Sequence, residues 1–297
     1  MEHPRTSCPA LAWSALAAVY YLAATLSHEL ASDVYLGLAN RVGMAAALRI
    51  QDALALLALP VGAWLALGPG RRSGRVSGRE ALAWLALAAL LAAADRLLIV
   101  TAVERVHYPQ YALLAILLRR VLADETLVLG LACLAGMADE LLQYLARPAN
   151  TGYLDWNDFC LNLLGAAAGL LLARALGVRA LASPRAEARL RAGFLVLCGL
   201  LAGAAAVAWA DGRLLASAPA REPLSVFARV DGELRFVLSF FSPDGFWSVA
   251  PSGRAHHVLT PGEGLASLAL LQAGLIRLLA WSKKKKTAGK PAGFPAG

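Results

Sequence analysis

The stretch DELLQYLARPANTGYLDWNDFCLNLLGAAAG, residues 139–169, decides the fold, because it joins two apolar helices through a short turn that is rich in carboxylates and amides. Glu140 and Gln143 are spaced i, i+3 before the turn. After the turn, a second set shares one helix face at the spacings i, i+4, i+7 and i+11: Asp158, Asn162, Gly165 and Gly169. The spacing therefore predicts two polar stripes that face each other across the turn.

Acids and amides are costly in apolar helices, since a charge at the middle of a membrane costs about 2.5 to 3.5 kcal/mol on insertion scales. That cost indicates a functional site. The alternative is helix packing without further function. Gly165 and Gly169 form a small-xxx-small face, and Asn162 can hydrogen-bond to a neighbouring helix.

The composition is that of a polytopic membrane protein. Of 297 residues, 59% are hydrophobic and 16% are charged, and the mean hydropathy is +0.58. The net charge of +8 includes five lysines that all lie at or after Lys283. The positive charge is therefore concentrated in particular stretches of the chain, and the net charge alone does not predict nucleic-acid binding.

Eight apolar segments predict an all-α polytopic membrane protein with about eight transmembrane helices. The segments are 10–26, 48–67, 81–103, 106–118, 126–145, 159–176, 190–210 and 265–281. The loop GPGRRSGRVSGRE, residues 68–80, carries four arginines, so the positive-inside rule places it in the cytoplasm. Counting loops from it predicts a multi-pass protein of the bacterial cytoplasmic (inner) membrane with both termini in the cytoplasm.

Residues 211–262 form the long stretch without a predicted span. SVFARV, LRFVLSFF and FWSVA are separated by Asp-Gly turns, which predicts a small β-rich meander outside the cytoplasm. A segment of this size buries little core alone, so we expect it to pack on the helices or on the membrane surface. His256 and His257 within it are interpreted as residues of a solvated loop.

A second polar cluster precedes the fourth predicted span. Glu104, His107 and Tyr111 are spaced i, i+3, i+7, and Pro109 suits the first turn of a helix. Loop counting places this cluster and residues 143–158 at the same outer membrane face, so the two clusters can converge into one pocket. A buried histidine beside an acid can serve as a general acid or base, and the same pair can equally be a structural hydrogen bond.

These motifs resemble those of the VanZ-like family of bacterial membrane proteins, which is named for a glycopeptide-resistance accessory. The matching features are E-x-x-H-x-x-x-Y (Glu104, His107, Tyr111), the acid and glutamine (Glu140, Gln143), and D-x-x-x-N-x-x-G-x-x-x-G (Asp158, Asn162, Gly165, Gly169). The resemblance covers roughly residues 80–176. The chain departs from the family's proline-glycine-arginine turn, because Arg147 precedes Pro148.

The predicted spans, the β segment and the resemblance together divide the chain into six segments. They are an N-terminal transmembrane hairpin (1–79), the VanZ-like helical core (80–176), a seventh transmembrane helix (177–210), the extracytoplasmic β segment (211–262), an eighth transmembrane helix (263–281) and a basic cytoplasmic tail (282–297). The resemblance implies work on cell-envelope precursors, or protection against agents that bind them. It implies no settled reaction.

Three functions are compatible with these residues. The first is an envelope or antibiotic-resistance accessory that binds a membrane lipid or lipid-linked envelope precursor at an outer-face pocket. The expected pocket residues are Glu104, His107, Tyr111, Glu140, Gln143, Arg147, Asp158 and Asn162, with Arg147 as a headgroup contact and Gly165 and Gly169 packing the helices. A transporter is also compatible, and for a transporter polar residues along the whole span would be expected.

The remaining function is that of a membrane-embedded hydrolase or transferase acting on a lipid-linked substrate. His107 or Glu140 would be the general base and Asp158 would orient it. The carboxylates and His107 could instead hold a divalent metal, but His107 is the one histidine in these motifs and the spacing matches no known metal motif, so no metal and no cofactor is predicted.

Overall fold

The computed structural model describes residues 7–26, 28–43, 46–47, 49–50, 53, 77–146, 152–218, 225–241, 245–250 and 253–283. This part of the chain is mainly helical. Its helices are α1 (Ser7–Leu26), α2 (His28–Val42), α3 (Gly78–Leu97), α4 (His107–Val121), α5 (Glu125–Ala146), α6 (Trp156–Ala175), α7 (Pro184–Ala210) and α8 (Pro261–Ser282), and a 3₁₀ turn (Ala102–Val106) precedes α4.

Helix α6 lies at the centre of the bundle, and nearly all of its residues are buried. It packs against α3, α4, α5 and α8, and most extensively against α4. The α4–α6 contact is close because α6 presents glycines to it. A Cβ atom on Gly165 would lie 2.7 Å from the carbonyl oxygen of Tyr108, closer than side chains normally approach.

A buried ion network holds the other end of the bundle together. Arg174 of α6 donates from Nε to Glu125 Oε1 of α5 at 2.8 Å. The same guanidinium donates from Nη1 to Ser282 Oγ of α8 at 2.7 Å and from Nη2 to the carbonyl oxygen of Leu279 at 2.8 Å. One arginine therefore joins three helices at the end of the bundle where α5 begins and α6 and α8 end.

Three described helices, α6, α7 and α8, are long and apolar enough to cross a membrane. The described residues thus do not support eight spans. The predicted fourth span is only the 15-residue α4, shorter than the roughly 20 residues that cross a bilayer. Most of the predicted second span, 48–67, lies outside the described residues. The polar connection predicted after the first span is helical, as α2.

Helix α7 is the most lipid-like surface of the described chain, since none of its residues is buried. Leu195, Val196 and Leu200 expose more than 60% of their surface each. Such a fully exposed apolar helix is expected in hydrocarbon and not in water. The exposed apolar surface of α7 is therefore that of a membrane protein.

The segment between α7 and α8 contains two small sheets instead of the single meander predicted. The first has the strand order β1 (Leu214–Leu215), β3 (Glu233–Val237), β2 (Phe227–Val230), and the second pairs β4 (Ser248–Val249) with β5 (Ala255–His256). Strands β2 and β3 form the predicted antiparallel hairpin, but β1 pairs with β3 in parallel. Asp231 and Gly232 both have positive φ, 53° and 83°, as a tight hairpin turn requires.

The first sheet rests on the end of the bundle where α5 ends and α6 begins. The Tyr144 hydroxyl of α5 donates to the carbonyl oxygen of Val237 at 2.6 Å. The Leu154 amide donates to the carbonyl oxygen of Leu238 at 2.8 Å. The expectation that this segment packs on the helices is therefore confirmed.

Candidate functional site

Three buried side chains from three helices meet near the β segment. His107 begins α4, Glu140 lies in the last two turns of α5, and Asp158 lies in the first turn of α6. Their exposed fractions are 0%, 4% and 5%. His107 Nε2 lies 3.2 Å from Asp158 Oδ2, and one ligand-type atom from each of the three residues lies within 4.8 Å of the other two. We call these three residues the polar cluster.

Local sequence explains how Asp158 is positioned. Asp155 caps the N-terminus of α6, accepting from the amides of Asn157 at 3.0 Å and Asp158 at 3.3 Å. Aspartate is among the preferred N-cap residues because its carboxylate satisfies amides that have no partner within the helix. The helix therefore starts at Trp156 and carries Asp158 in its first turn.

A second layer of polar groups surrounds the polar cluster. Tyr111 donates its hydroxyl to Asp139 Oδ2 at 3.2 Å, and Gln143 donates from Nε2 to Glu140 Oε1 at 3.3 Å. Asn162 lies against the ring of His107 and under Gly136, where a Cβ atom would come within 2.8 Å of its amide nitrogen. The structure thus brings Tyr111, Gln143 and Asn162 to this site.

Glu104 is placed differently from the sequence prediction, which put it on one helix face with His107. It lies in the 3₁₀ turn before α4, and its carboxylate accepts from the amides of Val100 at 2.8 Å and Thr101 at 2.9 Å. Glu104 therefore caps its own turn. Burial, followed by the charges of Asp158 and Asp155, raises its pKa to about 8.

Asp155 is a second acid at this end that lies outside the α-helices. Burial, followed by the charge of Asp158, raises its pKa to about 8, although two amides donate to it. The negative charge of Asp155, together with burial, also raises the pKa of Tyr153. Negative charge is therefore concentrated around the beginning of α6.

Two arginines at this end of the bundle pair with Asp95. Arg105 Nε lies 2.6 Å from Asp95 Oδ1, and Arg254 Nη2 lies 3.1 Å from Asp95 Oδ2. Arg147, the expected headgroup contact, lies outside the described residues. Among the described residues, His107 and Asp158 form an ion pair inside the polar cluster.

Asn157 fastens the β segment over the beginning of α6. Its Nδ2 donates to the carbonyl oxygens of Leu98 and His257, both at 2.8 Å. Its Oδ1 accepts from the amide of Leu259 at 3.0 Å. One amide side chain, 1% exposed, thus ties the end of α3 and the chain before α8 to α6.

The two histidines of the β segment are buried, so the solvated-loop interpretation is wrong. His256 and His257 are 4% and 7% exposed. The ring of His257 stacks on Phe246 at 4.1 Å between centroids, and its Nδ1 lies 2.7 Å from the carbonyl oxygen of Phe246. A pair of histidines in a polar loop carries no local signal of this burial, which arises from packing on α3 and α6.

Sequence reasoning missed two residues of this site. Asp139 is fully buried beside Tyr111, and its position next to Glu140 in α5 could have suggested it. Asn157 had no signal, because its three partners lie 59 to 102 residues away in sequence.

The site offers an imidazole, two carboxylates and surrounding amide and phenol groups in a water-poor setting. Such groups can transfer protons or hold a cation. Comparison of the chain with protein-family models, with curated proteins and with solved structures finds no match. The resemblance to VanZ-like proteins therefore stays a prediction from the motifs.

Proposed function

We propose that the chain is a membrane-embedded hydrolase or transferase of the bacterial cell envelope that acts on a lipid-linked substrate at the polar cluster. The observation that carries the proposal is the 3.2 Å approach of His107 Nε2 to Asp158 Oδ2 inside the bundle. Burying acids and an imidazole costs free energy that packing alone does not require. Perturbed titratable groups gathered from separate helices are a common mark of catalytic sites.

Each residue of the polar cluster has a role in this proposal. His107 takes a proton from water as the water oxygen attacks phosphorus or a carbonyl carbon, and Asp158 orients the ring and stabilises the imidazolium. Glu140, when protonated, gives a proton to the leaving oxygen as its bond breaks. His107 then returns its proton to Glu140 through solvent. Water or a substrate hydroxyl serves as nucleophile, since the polar cluster itself contains no serine or cysteine.

A lipid-linked substrate fits the surroundings of the site. The polar cluster lies toward the ends of apolar helices, and α7 presents an apolar surface along its length. A lipid tail can remain in the bilayer while its headgroup reaches such a site laterally.

A second candidate is a binding accessory that holds an envelope lipid without breaking a bond. It is favoured by the β segment, which Tyr144 and Asn157 fasten to the end of the bundle that holds the polar cluster. A covered site lined with amides and a phenol can retain a headgroup by hydrogen bonds alone. The motif order shared with VanZ-like proteins supports the same reading.

Reconstitution tests both candidates. The full chain is placed in phosphatidylglycerol vesicles that contain a polyprenyl diphosphate, and mass spectrometry follows free phosphate and lipid products. We expect turnover by the wild type and a loss of about 10²-fold or more in His107→Gln and Asp158→Asn, the size typical for a lost acid–base group. His256→Gln is the matched control, a buried histidine outside the polar cluster whose Nδ1 lies 3.3 Å from the carbonyl oxygen of Arg254.

The alternatives give different outcomes in the same assay. A lipid that co-purifies unconverted with the wild type, and is lost from the two variants, supports the binding accessory and rejects the enzyme. If neither turnover nor bound lipid depends on His107 or Asp158, both candidates are rejected.

A further inference from the structure

The three side chains of the polar cluster lie nearly as close together as the ligands of a single metal ion. In protein sites, imidazole nitrogens and carboxylate oxygens lie about 2.0 to 2.2 Å from Zn²⁺. Two ligands at neighbouring positions are then about 3 Å apart, and two at opposite positions about 4.2 Å. His107 Nε2 and Asp158 Oδ2 are 3.2 Å apart, and the three ligand atoms all lie within 4.8 Å of one another. Small side-chain rotations would bring all three onto one ion.

The donor set indicates the class of ion. One imidazole with two carboxylates is a nitrogen–oxygen set that suits Zn²⁺, Mn²⁺ or Fe²⁺, and it lacks the thiolates that select Cu⁺. Three protein ligands also leave positions open for water or substrate, as catalytic zinc sites do. Mg²⁺ is less well suited, because it favours oxygen ligands in a strict octahedron.

Oxygens without partners provide an independent indication of a missing cation. Asp158 Oδ1 and Asp139 Oδ1 have no hydrogen-bond partner among the described residues, although Asp158 is 5% and Asp139 0% exposed. Buried carboxylate oxygens are normally satisfied. Among the described residues, Arg105 and Arg254 pair with Asp95, and His107 lies within ion-pair distance of Asp158.

We propose that His107, Glu140 and Asp158 bind one divalent transition-metal ion of the Zn²⁺ or Mn²⁺ kind. Asp139, held by Tyr111, lies beside this site and adds negative charge that favours a cation. The ion binds whether or not the protein is an enzyme. Its use in a reaction rests on the proposed function: with the ion bound, His107 and Glu140 would act as ligands, and the ion would replace the base by lowering the pKa of a bound water and would neutralise a phosphoryl oxygen.

Metal content tests the site directly. The full chain, without a histidine tag, is stripped with a chelator in lipid nanodiscs, loaded with Zn²⁺ or Mn²⁺ and dialysed, and metal per chain is measured by mass spectrometry. We expect about one ion per chain in the wild type and less than about a tenth in His107→Gln, Glu140→Gln and Asp158→Asn. His256→Gln and the exposed Glu233→Gln are controls that should retain the ion.

A second measurement needs no variant and so does not depend on their folding. Pulsed electron paramagnetic resonance of the Mn²⁺-loaded wild type should show coupling to an imidazole nitrogen. The site is rejected if that coupling is missing, if the wild type retains less than about a tenth of an ion, or if the three site variants retain as much metal as the controls.

The metal site and the proposed function can fail separately. Lipid turnover by chelator-stripped, metal-free protein rejects the metal as part of the reaction and leaves the enzyme in place. One ion per chain without turnover or bound lipid supports the metal site and rejects the proposed function.

Discussion

Gly169 of α6 lies directly against Ala112 of α4, so that a Cβ atom at position 169 would overlap the Ala112 carbonyl group. The obstacle is backbone, which cannot rotate away as a side chain can. This contact sets the distance between the two helices that carry Asp158 and His107. Helix spacing and site geometry are therefore determined by the same glycine.

We expect Gly169→Ala to destabilise the protein, because the added methyl group forces α4 and α6 apart. Overpacking typically costs about 1 to 3 kcal/mol, which exceeds the gain of roughly 1 kcal/mol from replacing a helical glycine by alanine. Gly203→Ala is the matched control, since nothing lies within 4 Å of a Cβ there. Thermal unfolding and membrane yield measure the effect, and equal stability of the two variants would contradict the close contact.

His107→Ala and Asp158→Asn distinguish a functional site from a packing contact. If the polar cluster is functional, the variants accumulate normally in the membrane yet lose an envelope phenotype such as altered glycopeptide sensitivity. If the residues only join helices, stability falls with activity, by about 0.6 and at most about 1.7 kcal/mol per hydrogen bond. Membrane abundance and melting temperature are measured beside the phenotype. Stable variants with full activity would refute a functional role.

Asn157→Ala should loosen the β segment from the helices. The change removes three hydrogen bonds, to Leu98, His257 and Leu259, and each is worth about 0.5 to 1.5 kcal/mol net. Limited proteolysis should then cut residues 211–260 faster than in the wild type. Glu233→Gln, in the same segment but exposed, should leave the rate unchanged. Equal cleavage in both variants would show that Asn157 does not hold the β segment on the helices.

Stability of the metal-free protein should fall as pH rises from about 4.5 to about 8, and then level off. Burial raises the pKa of Glu104 and of Asp155 to about 8, so the folded chain holds protons that the unfolded chain has already released. More protons bound in the folded state means that rising pH favours unfolding. Melting temperatures across this range, with a chelator present, measure the slope. Asp155→Asn should flatten it while keeping the cap, because asparagine caps equally well.

Cysteine labelling tests the predicted topology. Glu233 lies in the hairpin and Arg185 near the start of α7, and both are exposed. With α7 and α8 as spans on either side of the β segment, Glu233→Cys should react with an impermeant maleimide from outside intact cells. Arg185→Cys should react only after lysis. The opposite pattern would invert the orientation derived from the arginine-rich loops.

Local sequence signals located several elements well. The apolar segments 159–176, 190–210 and 265–281 became α6, α7 and α8, and the Asp-Gly dipeptide became the β2–β3 turn. Pro109 lies in the first turn of α4, as its fixed φ favours. Periodicity and turn chemistry act within a few residues, so the sequence carries them directly.

The lengths of the helices were harder to predict from the sequence. The fourth span was predicted from apolar character, but α4 ends at Val121 after 15 residues, and α3 ends at Leu97 before the predicted boundary. Apolar character also marks buried helices, and hydropathy alone does not separate those from spans.

The sequence by itself determined a helical membrane protein whose polar motifs recur on helix faces near one turn, because helix period and apolar content are local properties. Only the tertiary structure decided that His107 meets Asp158, that Glu104 caps its own turn, and that Asn157 fastens the β segment to α6. Those contacts depend on how closely and at what rotation helices pack. Glycines such as Gly169 set that packing against residues far away in the chain.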